Sequence, residues 1–134
     1  MILRALIASV VIWIARMAVA IPFLDDNGRL SVVLDEGHLP GAVEVFFTAL
    51  MVVYTAGAAL AGFWLLRRVA PAQAVAAGFS VALGLVAGFV ILDALLEVFV
   101  AQRGLALHLR NVVIDYAPLA IIPPIMGALR AQKG

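Results

Sequence analysis

The sequence predicts an all-α integral membrane protein, a bundle of four transmembrane helices with a short extracytoplasmic loop between the first and second. Three observations predict it. Hydrophobic residues make up 66% of the 134-residue chain and the mean hydropathy is +1.16, far from the composition of a water-soluble fold. Four apolar stretches, at about residues 2–24, 42–66, 74–101 and 107–129, each reach the ~20 residues that a helix needs to cross ~30 Å of hydrocarbon. The longest polar stretch, Asp25 to Gly41, is much shorter than the ~50 residues of a separate soluble domain. Residues 1–134 therefore read as one transmembrane domain. The spans are too long and too uniformly apolar for barrel strands, which alternate in polarity.

The first span begins with Arg4 and an apolar run and ends at Ala18-Val19-Ala20, much as a signal peptide would. Arg16 interrupts the apolar core that cleavage requires, so the segment is expected to be retained. In the following loop Asp25-Asp26-Asn27-Gly28 is a turn signal, and His38-Leu39-Pro40-Gly41 marks the entry to the second span. Between them, Arg29 to Leu34 fits a short strand pair or an interfacial helix equally well. Arg67 to Gln73 is a tight link, with Pro71 at the start of the third span. Gln102-Arg103-Gly104 reads as a turn. Pro118 and Pro123-Pro124 fall inside the fourth span and are expected to bend or break it, because proline lacks the backbone donor and clashes with the preceding turn.

Basic residues set the orientation. Arg4, Arg67, Arg68, Arg130 and Lys133 lie on one side, and Arg29, Arg103 and Arg110 on the other. The bias places both termini in the cytoplasm, in a cell (inner) membrane. The net charge of +1 and the lack of basic runs beyond Arg67-Arg68 give nucleic acid no purchase. Cysteine is absent, which excludes disulfides and thiolate chemistry.

The informative residues are polar ones placed where lipid makes them costly. Glu44, Thr48, Met51, Thr55, Ala58 and Gly62 recur at helical spacing along one line of the second span. This line reads as a helix–helix seam of small and polar residues, with a polar cavity wall as the alternative. In the third span Gly84 and Gly88 form a GxxxG pair, and Asp93 and Glu97 are also one turn apart. At ~100° per residue the glycines and the carboxylates fall on opposite faces, so the third helix is expected to be central, with neighbours on both sides. Arg16, at matching depth, is the expected partner of Asp93, with Glu97 reaching the interface or Arg103. The alternative is a proton- or cation-handling carboxylate site, since intramembrane ionisable residues are often functional.

The fourth span carries His108, Asn111, Asp115 and Pro118 along one face. The candidate intramembrane polar set is thus Arg16, Glu44, Asp93, Glu97, His108 and Asp115, and the packing set is Ala58, Gly62, Gly84 and Gly88. No catalytic residues are assigned: GxSxG, HExxH and phosphate-loop patterns are missing, and Ser80, His108 and Asp115 lack triad spacing. Asp35, Glu36 and His38 read as a solvated acidic loop rather than a metal site, and no cofactor is expected.

The reading that best fits is a non-catalytic small membrane subunit or interaction protein. Its partners are the lipid bilayer and either its own copies or a larger membrane complex. Two alternatives stand beside it. One is a small oligomeric ion- or solute-coupled transporter using Asp93 and Glu97, which the lack of an internal repeat disfavours. The other is an outer-leaflet enzyme acting on lipids.

Overall fold

The structure is a computed structural model and describes residues 1–23, 40–96 and 116–132, with the backbone alone for 40–44. Glu97, Asn111, His108 and Asp115 therefore lie outside the described residues, as does the loop between the first two spans. The described residues form helices and turns. Four helices follow one another: α1 (Ile2–Ala20), α2 (Pro40–Leu66), α3 (Ala74–Ala94) and α4 (Ala117–Ala131). Short 3₁₀ turns at Ile21–Phe23 and Pro71–Gln73 extend α1 and introduce α3.

Three segments, Ile2–Phe23, Val45–Leu66 and Pro71–Ala94, are long and apolar enough to cross a membrane. They mark the chain as a membrane protein. The described part of the fourth apolar stretch is a shorter helix, Ala117–Ala131. It starts at Ala117 because Tyr116 takes the N-cap position, with φ −95° and ψ 0°, and Pro118 sits in the first turn. There proline costs nothing, since the first-turn donors have no intrahelical partner. Pro118 thus opens the helix rather than breaking it. Pro123 and Pro124 do lie inside the helix, yet it runs unbroken to Ala131. Pro123 is buried against Gly78 of α3, where the absent side chain leaves room for the proline backbone.

Each helix packs mainly on two others. α3 meets α4 and α1 most extensively, α2 meets α4 and α1, and α2 and α3 touch only lightly. α3 packs most extensively, but the expected central place is not found, because each helix has two main neighbours. The seams are set by glycine. A Cβ on Gly78 would lie 2.6 Å from the Pro123 carbonyl oxygen, and one on Gly127 would strike the Ala74 carbonyl oxygen. The α3 and α4 backbones are therefore in direct contact, as small residues permit where lipid provides no hydrophobic drive. Gly84 and Gly88 face α1: a Cβ on Gly84 would sit 2.6 Å from the Ala5 Cβ, and one on Gly88 would collide with the Ser9 hydroxyl. Ser9 enters this seam with its hydroxyl donating to the Leu6 carbonyl at 2.7 Å, so no polar group is stranded.

The polar line expected along α2 is only half a seam. Ala58 and Gly62 are buried, but Thr48, Met51 and Thr55 are exposed. The buried line is instead Phe46, Leu50, Tyr54, Ala58, Ala61 and Leu65. The physical reason is packing: this face mixes rings that meet other rings with alanines that let helices approach, whereas apolar side chains such as Phe63 and Trp64 lose nothing by facing lipid.

The helices alternate in direction. Gly127 beside Ala74 and Arg130 beside Val69 place the end of α4 at the α2–α3 link, whereas the start of α1 lies beside Gly84, midway along α3. Arg67, Arg68 and Arg130 thus gather at one end, and Arg4 lines a groove with Trp64 in the same half of the assembly. Arg130 donates from Nε to the Val69 carbonyl at 2.8 Å and from Nη2 to the Arg67 carbonyl at 2.9 Å. It satisfies carbonyls just past the α2 C-terminus, where a cation also meets the negative end of the helix dipole.

Candidate functional site

The polar site lies toward the opposite end. Asp93, near the C-terminus of α3, is 2% exposed. Its Oδ1 accepts from the Trp13 indole Nε1 at 2.7 Å and from the Arg16 Nη1. Its Oδ2 accepts from the Tyr116 hydroxyl. Arg16 and Asp93 form an ion pair whose side chains are 17% and 3% exposed. Trp13 and Arg16 are three residues apart on α1 and so share a face. Tyr116 comes from the other side, held at the start of α4 by its N-cap geometry. One carboxylate thus ties α1, α3 and α4 together.

An aromatic group closes the site from within the bundle interior. Phe89, one turn before Asp93, meets Tyr54 at 5.5 Å and Tyr116 at 5.6 Å, and Tyr54 meets Tyr116 at 6.4 Å. All three pairs are edge-to-face, the arrangement that aligns a ring's positive edge with its neighbour's negative face. Each of the three rings is no more than 4% exposed. Every helix therefore contributes: Trp13 and Arg16 from α1, Tyr54 from α2, Phe89 and Asp93 from α3, and Tyr116 beside α4.

The electrostatics follow from the donors. A buried carboxylate is costly unless an opposite charge and further hydrogen bonds replace its water. Here the guanidinium balances the charge, and an indole N–H and a phenol O–H supply two more donors. Bonds to an ionised acceptor are among the stronger ones in proteins. The arrangement can hold three helices in register and neutralise a charge inside an apolar core.

Of the six candidate polar residues, the structure brings together Arg16 and Asp93. Glu97, His108 and Asp115 lie outside the described residues, and Glu44 is placed in α2 without its side chain. The glycine and carboxylate faces of α3, half a turn apart by residue count, both meet α1. Small Ala5 and Ser9 stand opposite the glycines, whereas long Trp13 and Arg16 reach round to Asp93. Trp13, Tyr54, Phe89 and Tyr116 were not singled out by polarity. Helical spacing could have found two of them, since Trp13 precedes Arg16 by three residues and Phe89 precedes Asp93 by four. Among the described residues no three His, Cys, Asp or Glu side chains converge on a metal position.

Compared with family models, curated proteins and solved structures, the chain matches none.

Proposed function

We propose that the chain is a non-catalytic, four-helix integral membrane subunit that packs against a larger membrane complex or against its own copies. It would lie in a cell (inner) membrane with both termini in the cytoplasm. The observation that carries this reading is the state of Asp93. Its two oxygens take three donors from two neighbouring elements, and it is almost wholly enclosed. A carboxylate that binds and releases a travelling ion needs an open face, and this one is spent on joining helices. The glycine faces are likewise spent within the chain, so a partner would meet the outward apolar side chains, among them Phe47, Phe63 and Leu83. The gathering of Arg67, Arg68 and Arg130 at one end supports the orientation, because basic residues collect on the cytoplasmic side.

The test is purification of the full chain from membranes in mild detergent, followed by native mass spectrometry. A larger partner in fixed ratio, or a defined homo-oligomer without transport activity in vesicles, is the expected result. A homo-oligomer whose cation or proton flux disappears in Asp93→Asn would replace the subunit reading with the transporter. Orientation is checked by cysteine labelling with an impermeant reagent in intact cells. A cysteine at Asn27 should react and one at Gln132 should not, and the reverse pattern inverts the topology.

A further inference from the structure

A groove of about 620 Å³ runs between α1 and α2. Its volume falls in the range of sites that hold small organic ligands, roughly 300–1,000 Å³. Arg4 and Trp64 flank one end, and Ala15 and Val52 the other. Ala56 and Gly57 form part of its wall, and small residues there make the surface concave. At Gly57 the two helices are close enough that a Cβ would lie 2.8 Å from the Ile12 side chain. Apart from Arg4 and the Trp64 indole, the lining is apolar.

We propose that this groove holds one acyl chain of an anionic phospholipid, with the lipid phosphate on Arg4. Length is the first argument. Arg4 to Ala15 along α1 spans about 16 Å at the helical rise, close to the ~15 Å hydrocarbon depth of a single leaflet. Charge is the second. Arg4 is exposed and, among the described residues, makes no ion pair, and it stands where an apolar channel opens toward the end that collects Arg67, Arg68 and Arg130. Its flexible stem can lie along the apolar wall while the guanidinium forks onto phosphate oxygens. Trp64, 52% exposed beside it, is the residue type that favours headgroup depth. The occupant is therefore a lipid of the leaflet on the Arg4 side, with its tail between α1 and α2. This proposal rests on the membrane placement proposed above and is independent of the partner.

The probe is phosphatidylglycerol, compared with phosphatidylcholine. The full chain is reconstituted in phosphatidylcholine nanodiscs containing a minority of phosphatidylglycerol, then released into mild detergent and weighed by native mass spectrometry. Wild type should retain one phosphatidylglycerol per chain. Ala56→Trp, which fills the groove from an exposed position, should lose it while keeping the wild-type melting temperature. Arg4→Gln should weaken phosphatidylglycerol retention about fivefold, the worth of one basic side chain at an anionic surface, and leave phosphatidylcholine unchanged. Equal retention of the two lipids by wild type, or undiminished retention by Ala56→Trp, overturns the proposal. So does a dimer that seals the groove, detected as a Val11 cysteine cross-link between copies without bound lipid. Alkaline washing separates the levels of failure. A chain washed off membranes defeats the membrane placement itself, whereas one that stays but keeps no phosphatidylglycerol defeats only the groove.

Discussion

The two ends of this helix assembly are held by different means. At the arginine-rich end α3 and α4 meet backbone to backbone through Gly78 and Gly127, and Arg130 fastens the link after α2. At the other end large side chains meet, and the Arg16–Asp93 pair with Trp13 and Tyr116 joins α1, α3 and α4. The first end depends on what is missing from the side chains. The second depends on polar groups that are harmless together and costly singly. The difference teaches that helices can be joined either by the space that side chains leave or by the charge that they carry.

The strongest way to break this comparison is to strand a charge. Asp93→Asn and Arg16→Gln should each destabilise by roughly 3–5 kcal/mol, because each leaves its buried partner uncompensated. The double variant should recover part of that loss. A double-mutant cycle by thermal or denaturant unfolding in detergent measures the coupling, and additive losses would detach Asp93 from a structural role.

At the glycine end Gly78→Leu should cost up to about 3 kcal/mol, because the obstacle is the Pro123 backbone and cannot rotate away. Gly62→Ala should cost much less, since its nearest obstacle is the flexible Met126 thioether. Melting temperatures of the two variants check the contrast. Equal values would mean that the seams are not set by backbone contact.

Removing single donors sharpens the other end. Tyr116→Phe keeps the ring stacking and deletes one bond to an ionised acceptor, for an expected loss of about 1.5–3 kcal/mol. Proteolysis should then report a looser start to α4. Wild-type protection of that segment would show that the hydroxyl is dispensable. The smallest effect is expected from Leu60→Ile on the outer face of α2, within about 0.5 kcal/mol. A loss comparable to that of Gly78→Leu would place Leu60 in an interface with another chain.

The helical class and the three long spans were legible because apolar length is a strong signal. The Arg16–Asp93 pairing was legible too, since depth along two spans can be counted at a fixed rise per residue. The inner face of α2 was not. Its residues are apolar nearly all round, so Thr48 and Thr55 drew the reading to a line that faces outward, while Tyr54 defines the inside. Tyr116 was missed for a related reason. It adjoins Asp115, and a charged neighbour draws attention that an aromatic hydroxyl does not. The effect of Pro123-Pro124 was misjudged because the compensating vacancy is on another helix, at Gly78. Pairwise complementarity of that kind is a property of the folded state and leaves no local trace in the chain.

The placement of Tyr116 and Arg130 on either end of α4 bears on the order of assembly. Ribosomes deliver α4 after the other three, and until it arrives Asp93 lacks the phenol donor and the carbonyls of Arg67 and Val69 lack the guanidinium. Until then Asp93 Oδ2 lacks its donor and the α2–α3 link lacks its clasp. The arrival of a single short helix repairs both. The last helix to be made is therefore the one that completes the donor set of Asp93 and clasps the link between its two predecessors.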